Sequence, residues 1–89
     1  MKAEYLPSFI KDLQALRGVP EERRIRKLVF DEIQSVTALE QLPGLKRLQG
    51  YRNAYRLRVG EYRIGFFFDG QRIIFARALN RKDIYRFFP

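Results

Sequence analysis

The chain has 89 residues and a formal net charge of +8, and hydrophobic residues make up 46% of it, with eight Phe and five Tyr among them. That length supports one small core and excludes two functional domains, so residues 1–89 are read as a single domain, and the apolar content excludes a disordered chain. The absence of His, Cys and Trp removes the usual zinc and iron ligand sets, disulfides, thiol nucleophiles and Ser-His chemistry, so no metal or cofactor is expected. No apolar run approaches the roughly 18 residues of a membrane span, and the amino terminus lacks the long hydrophobic segment of a signal peptide. A soluble, cytoplasmic protein with no membrane partner is the expectation.

The charge is uneven along the chain. Basic and acidic residues balance up to Leu45, whereas from Lys46 onward only Glu61, Asp69 and Asp83 oppose the Lys and Arg, so the whole excess lies there. A neutral half joined to a basic half suggests a scaffold carrying an anion-binding face, with nucleic acid as the first candidate partner.

Met1 to Leu6 is compatible with a short edge strand. Pro7 stands where a first-turn proline is tolerated, and Phe9, Ile10, Leu13 and Leu16 follow at helical spacing up to Gly18, which predicts a helix over about Pro7 to Arg17. Pro20 opens a second helix with Glu21 and Glu22 in its first turn, where carboxylates favour the positive end of the dipole, and Ile25, Leu28, Val29, Ile33 and Val36 form its stripe. The short link makes the pair an antiparallel αα-hairpin with Arg23, Arg24, Arg26 and Lys27 outward. Thr37 to Gly44 reads as a connection with a helical turn near Ala38 to Gln41, and Leu45 to Asn53 as a loop or short strand.

From Tyr55 to Phe68 apolar and basic residues alternate on both sides of Gly60-Glu61, the pattern of a β-hairpin with glycine at the first turn position. In that register Val59 faces Tyr62, Leu57 faces Ile64 and Tyr55 faces Phe66. Arg58 then faces Arg63 and Arg56 faces Gly65, which gathers three guanidinium groups on the other face. Like charges directly across a ladder destabilise it, so a polyanion is the natural explanation. Asp69-Gly70 marks another turn and Arg72 to Leu79 another strand; a two-residue turn there would set Ile73 against Phe66, Phe75 against Ile64 and Arg77 against Tyr62 on the packing face. Asn80 is placed to cap a short helical tail with Arg81 and Tyr85 on one side of it. The fold class is therefore α+β: a short N-terminal strand, an αα-hairpin, a three-stranded antiparallel sheet packed on the helices, and a helical tail. The helices cover one sheet face and leave the arginine face open.

As a site on RNA, that face offers Arg56, Arg58, Arg63 and Arg81 to phosphate oxygens, with Tyr51, Tyr55 or Tyr85 to stack on bases. Lys46, Arg47, Arg52 and Lys82 extend the basic surface as further RNA-binding residues. Metal-free cleavage of a phosphodiester requires the adjacent 2′-hydroxyl as nucleophile, positive charge around the phosphorane, a base and an acid. Arginine supplies the charge but stays protonated and cannot be the base. Glu61, Asp83, Lys82, Lys46 and Tyr85 remain as titratable candidates. The basic helix face and the tail phenylalanines also admit duller readings, as solvated surface and as core; Phe67, Phe87 and Phe88 are alternatively part of a groove for a partner.

The stretch Gly-Tyr-Arg-Asn-Ala-Tyr-Arg-Leu-Arg-Val-Gly-Glu-Tyr-Arg-Ile-Gly-Phe from Gly50 to Phe66, followed by Ala-Leu-Asn-Arg-Lys-Asp-Ile-Tyr from Ala78 to Tyr85, resembles the RelE/ParE superfamily of toxins from type II toxin-antitoxin modules. The resemblance spans nearly the whole chain. It implies a toxin neutralised by a cognate antitoxin, and its RelE-like branch implies a metal-independent, ribosome-associated mRNA endoribonuclease that inhibits translation. Its ParE-like branch implies a DNA gyrase inhibitor, and a toxin that only binds antitoxin or RNA is the remaining reading. By the resemblance, Arg56 and Arg58 stand at the basic strand positions, Arg63 at the phosphate-binding arginine, Arg81 at the arginine after the last strand and Tyr85 at the carboxyl-terminal tyrosine. Two positions depart from the pattern. Arginine replaces the strand lysine proposed as base in relatives, and Leu79-Asn80-Arg81 replaces Gly-His-Arg.

Overall fold

In the computed structural model, which describes residues 1–89, the chain runs β1 (Lys2–Tyr5), α1 (Pro7–Ala15), α2 (Glu22–Arg26), β2 (Leu45–Arg47), β3 (Ala54–Val59), β4 (Tyr62–Phe68), β5 (Arg72–Asn80) and α3 (Ile84–Phe87). The α+β class and the element order follow the sequence reading. The sheet is larger than expected: five strands in the order β1-β5-β4-β3-β2, with β1 parallel to β5 and every other pair antiparallel. The N-terminal strand joins the sheet because α1 returns the chain across it, and β2 adds a three-residue edge beside β3. Chains this short in periodic signal are recruited by the unpaired backbone groups of the neighbouring strand, which composition does not reveal.

One sheet face is packed by the helices. Phe9, Leu13, Ile25, Val29 and Ile33 meet Leu57, Ile64, Phe66, Ile73 and Phe75, all with no more than 1% of their surface exposed. Burial of such side chains contributes about 1.5–3 kcal/mol each relative to leaving them in water. The second helical segment is not one continuous α-helix. Past Arg26 it widens into a π turn over Lys27–Asp31 and then tightens into a 3₁₀ turn over Glu32–Ser35. Tyr5 donates its hydroxyl proton to the Val29 carbonyl inside the π turn, a partner that the disturbed helical ladder leaves available.

The β3–β4 hairpin has the register that its alternation dictates, with Val59, Leu57 and Tyr55 opposite Tyr62, Ile64 and Phe66, and Arg58 opposite Arg63. Gly60 takes a φ of +59°, the sign required at the first corner of a primed two-residue turn. The β4–β5 connection differs from expectation. Phe68 pairs with Ile73 and Phe66 with Phe75, so four residues separate the last paired positions instead of two, and the turn is closed by the Asp69 carboxylate, which accepts the N–H groups of Gln71 and Arg72 at 2.9 Å each. A bulge at Gly65/Phe66 then sets Arg77 opposite Gly65 instead of Tyr62. Beyond the end of β1 the free edge of β5 is covered by α1: Ser8 donates to the Ala76 carbonyl at 2.6 Å, and the Asp12 carboxylate accepts the Ala78 N–H at 2.9 Å. Asp12 also takes the Arg77 guanidinium at 2.8 and 3.1 Å, which accounts for an arginine at this half-buried position.

The far sheet face is not fully open. The tail folds back over it, and Ile84 and Phe88 bury with Ala54 and Ala76 in a second, small core flanked by Phe67, Leu48 and Leu79. Gly65 is the floor of that contact. A Cβ there would lie 2.5 Å from Cγ and Cδ2 of the Phe88 ring, so a glycine is what lets the ring down onto the strand. A four-residue helix has no independent stability, and α3 persists because its first residue, Ile84, and Phe88 just after it are docked.

Candidate nucleic-acid interface

Between the tail and the exposed hairpin end lies the arginine face. The cross-strand ladder places Lys46 beside Arg56 and Arg58 beside Arg63, and a cleft lined by Gly44, Leu45, Lys46, Arg56, Arg58 and Arg63 joins them. Docking of Ile84 and Phe88 delivers Tyr85, which lies between them in sequence, to this cluster: the Arg56 guanidinium sits 5.1 Å from the centre of the Tyr85 ring. That contact is a cation–π pairing, and Tyr85 is 65% exposed.

The hairpin tip is fixed from three sides. Glu21 accepts the Glu61 N–H at 2.9 Å, Arg63 donates to the Gly60 and Tyr62 carbonyls at 3.1 and 3.0 Å, and the Arg81 N–H donates to the Glu61 carbonyl at 2.9 Å. Arg81 also pairs through Nε with the Glu61 carboxylate at 2.9 Å. Because both partners of that pair face water, it aims the side chain without contributing much stability. Burial, followed by the positive charges of Arg56 and Arg58, lowers the Arg63 guanidinium from its ordinary value. It remains charged in the physiological range, so the depression reports first its burial and then the crowding of like charge, and an anion relieves the second.

The structure thus brings together Arg56, Arg58, Arg63 and Tyr85 with Lys46, and sets Arg81 at the margin through Glu61. The other basic positions lie outside that cleft, with Arg47 lining a neighbouring hollow beside Lys46, Arg56 and Tyr85. Arg47 lies in register with Tyr55 and its guanidinium donates to the Arg52 backbone carbonyl at 3.0 Å, which ties the β2–β3 loop. Lys82 lies in the turn after β5, where its N–H donates to the Asn80 side chain at 3.0 Å. Asn80 therefore closes this turn instead of capping a helix; α3 begins only at Ile84, so Arg81 and Tyr85 do not share a helix face. Tyr55 is withdrawn from any base, since its ring stacks on Phe66 with centroids 5.4 Å apart. The Glu61 link to Arg81 and the Gly65 seat for Phe88 were invisible to sequence reading, because each depends on where the tail crosses the sheet.

Comparison with known proteins gives this geometry its context. The chain is 43% identical over 90 residues to the toxin RelE3 of Methanocaldococcus jannaschii, covering 100% of both chains. It belongs to the RelE-like toxins of the RelE/ParE superfamily. Among solved structures, the RelB-RelE antitoxin-toxin complex from Methanococcus jannaschii matches with a TM-score of 0.75 at 41% identity, over 97% of this chain and 99% of that one. The Escherichia coli DinJ-YafQ complex shares the fold with a TM-score of 0.75 at 15% identity, over 94% of this chain and 97% of that one. The YoeB dimer from Staphylococcus aureus does so with a TM-score of 0.68 at 19% identity, over 91% and 97%. No family model matches the chain. No helix is long and apolar enough to cross a membrane.

Proposed function

We propose that this RelE-like toxin is a metal-independent endoribonuclease that cleaves messenger RNA on the ribosome, in the cytoplasm, and that a cognate antitoxin neutralises it. The observation that carries the reading is the convergence of Arg56, Arg58, Arg63 and Lys46 with Tyr85 on one sheet face. Crystal structures of relatives as toxin-antitoxin complexes support the partner.

The chemistry follows from the residue types. The 2′-hydroxyl attacks the adjacent phosphorus and releases its proton to solvent water, the phosphorane collects negative charge on its non-bridging oxygens, and the 5′-oxygen leaves with a proton. The products are a 2′,3′-cyclic phosphate and a 5′-hydroxyl. Arg63, with Arg56 and Arg58 beside it, holds the phosphate and stabilises the charge that grows in the transition state. Tyr85 is assigned the proton for the departing oxygen, since its ring lies against the Arg56 guanidinium at the cluster and a phenol is a proton donor. Arg81, steadied by Glu61, contacts the next phosphate along the strand. Lys46 adds a further positive charge.

Mapping of message ends on programmed ribosomes tests the proposal. Incubation with the toxin is expected to yield new 5′-hydroxyl ends within the codon in the decoding site, and intact message would overturn the nuclease reading. Gyrase supercoiling in the same preparation separates the alternative: inhibition of supercoiling with intact message would assign the chain to gyrase.

A further inference from the structure

Two of the aromatic rings that the fold leaves exposed, Tyr85 and Tyr51, with 65% and 51% of their surface accessible, border the same groove. From Lys46 and Arg56 the groove passes Tyr85 and continues along Leu48 and Gln49 as a hollow of about 430 Å³. A second hollow of about 500 Å³ shares Arg47, Leu48 and Gln49 with the first and is completed by Gly50, Tyr51 and Arg52. The β2–β3 loop that presents Tyr51 is tied at its base and along its side. The Leu48 N–H donates to the Ala54 carbonyl at 2.9 Å, the Phe68 N–H to the Asn53 carbonyl at 3.0 Å, and the Arg47 guanidinium to the Arg52 carbonyl at 3.0 Å. Leu48 also packs against the small core under the tail. A half-exposed aromatic ring on a tied loop, in a groove that leads to a phosphate clamp, offers stacking area at little ordering cost.

We infer that the hollow at Tyr51 is a second nucleobase subsite, in which an unpaired base of the RNA, beyond the nucleotides held at the arginine cluster, stacks on the Tyr51 ring. The Gln49 amide provides a donor and an acceptor for the base edge, and Arg52 provides positive charge for the flanking phosphate. The inference rests on the reading of the arginine cluster as an RNA clamp and adds the class of substrate: single-stranded RNA long enough to span both ends of the groove. A duplex keeps its base faces stacked and cannot use the ring.

Fluorescence anisotropy with the full chain and labelled 2′-O-methyl oligoribonucleotides, which have no free 2′-hydroxyl to attack, tests the subsite. Tyr51→Ala is expected to weaken binding of a single-stranded hexanucleotide by about 5- to 30-fold, within the range for loss of one base–aromatic stack, while Tyr51→Phe binds like the parent. A dinucleotide, which fills only the clamp, is expected to bind both variants equally. The salt slope separates the two sites: Tyr51→Ala leaves it unchanged, whereas Arg63→Ala lowers it by about one. Hexanucleotide binding by Tyr51→Ala within about twofold of the parent, with Arg63→Ala still defective, would overturn the subsite and leave the clamp standing. An equal loss on duplex RNA would overturn it as well. If the parent binds none of the oligonucleotides, the clamp reading fails and the subsite fails with it.

Discussion

Gly65→Ala provides a test in which sign as well as size is fixed by geometry. A Cβ on residue 65 lies 2.5 Å from Cγ and Cδ2 and 2.8 Å from Cε2 of Phe88, against an ordinary contact of 3.4–4 Å, so the ring must withdraw by about 1 Å. It has little room, because it also packs on Phe67 with centroids 5.1 Å apart and on Ile84, Ala54 and Ala76. If the tail stays docked, overpacking of this kind costs about 1–3 kcal/mol. If the tail lifts instead, burial of Phe88 is lost, which is about 1.5–3 kcal/mol. Either route gives a loss of roughly 1–3 kcal/mol, or a fall in melting temperature of about 5–20 °C for a domain of this size. The usual effect of replacing a strand glycine whose backbone accepts alanine is the reverse, a gain of about 0.4–1 kcal/mol through the unfolded chain. Thermal unfolding followed by far-ultraviolet circular dichroism reads the difference. In a Phe88→Ala background the clash is gone, and Gly65→Ala is then expected to be neutral or slightly stabilising. A Gly65→Ala protein as stable as the parent, or the same penalty in both backgrounds, would refute the account of the tail.

Asp12→Asn removes the carboxylate that serves both the Arg77 guanidinium and the Ala78 N–H; a loss of roughly 1–3 kcal/mol is expected in urea unfolding, and an unchanged midpoint would show that the half-buried pair contributes nothing. At acid pH, Asp69 is informative because the N–H groups of Arg72 and Gln71, then the Arg72 guanidinium, hold its carboxyl down to about 2. A folded-state value below the unfolded one means that its contribution is present above about pH 4 and is lost as pH falls through about 2. The melting temperature of Asp69→Asn is therefore expected to fall less steeply than that of the parent between those limits, and parallel profiles would count against the turn geometry.

The hairpin was legible in the sequence because alternation over Tyr55 to Phe68 and a glycine at the turn leave a single register that buries Leu57, Ile64 and Phe66 together. The helical pair was legible for the same reason at a different period. The β4–β5 register was not. Its loop length is set by the Asp69 side chain binding its own backbone, and its bulge by Arg77 finding Asp12, neither of which is a property of the strand pattern. The N-terminal strand was legible but its parallel pairing with β5 was not, and β2 stayed open between loop and strand because three residues carry no period. At the site, the cross-strand guanidinium groups follow directly from the hairpin register, whereas the bond from the Arg47 guanidinium to the Arg52 carbonyl depends on how the β2–β3 loop closes. The tail was read as helical and short, but its path over Gly65 depends on a fit between one ring and one missing side chain, and that fit is what places Tyr85 beside Arg56.

The central claim is that the arginine face holds a scissile phosphate, and single-turnover cleavage of message on programmed ribosomes by the parent and by Arg63→Ala tests it most directly. Loss of one preorganised donor to a developing oxyanion is expected to slow cleavage by about 10²–10³-fold, with melting temperature nearly unchanged because Arg63 bonds only to carbonyls of its own turn. Cleavage by a folded Arg63→Ala protein at the parental rate would contradict the account.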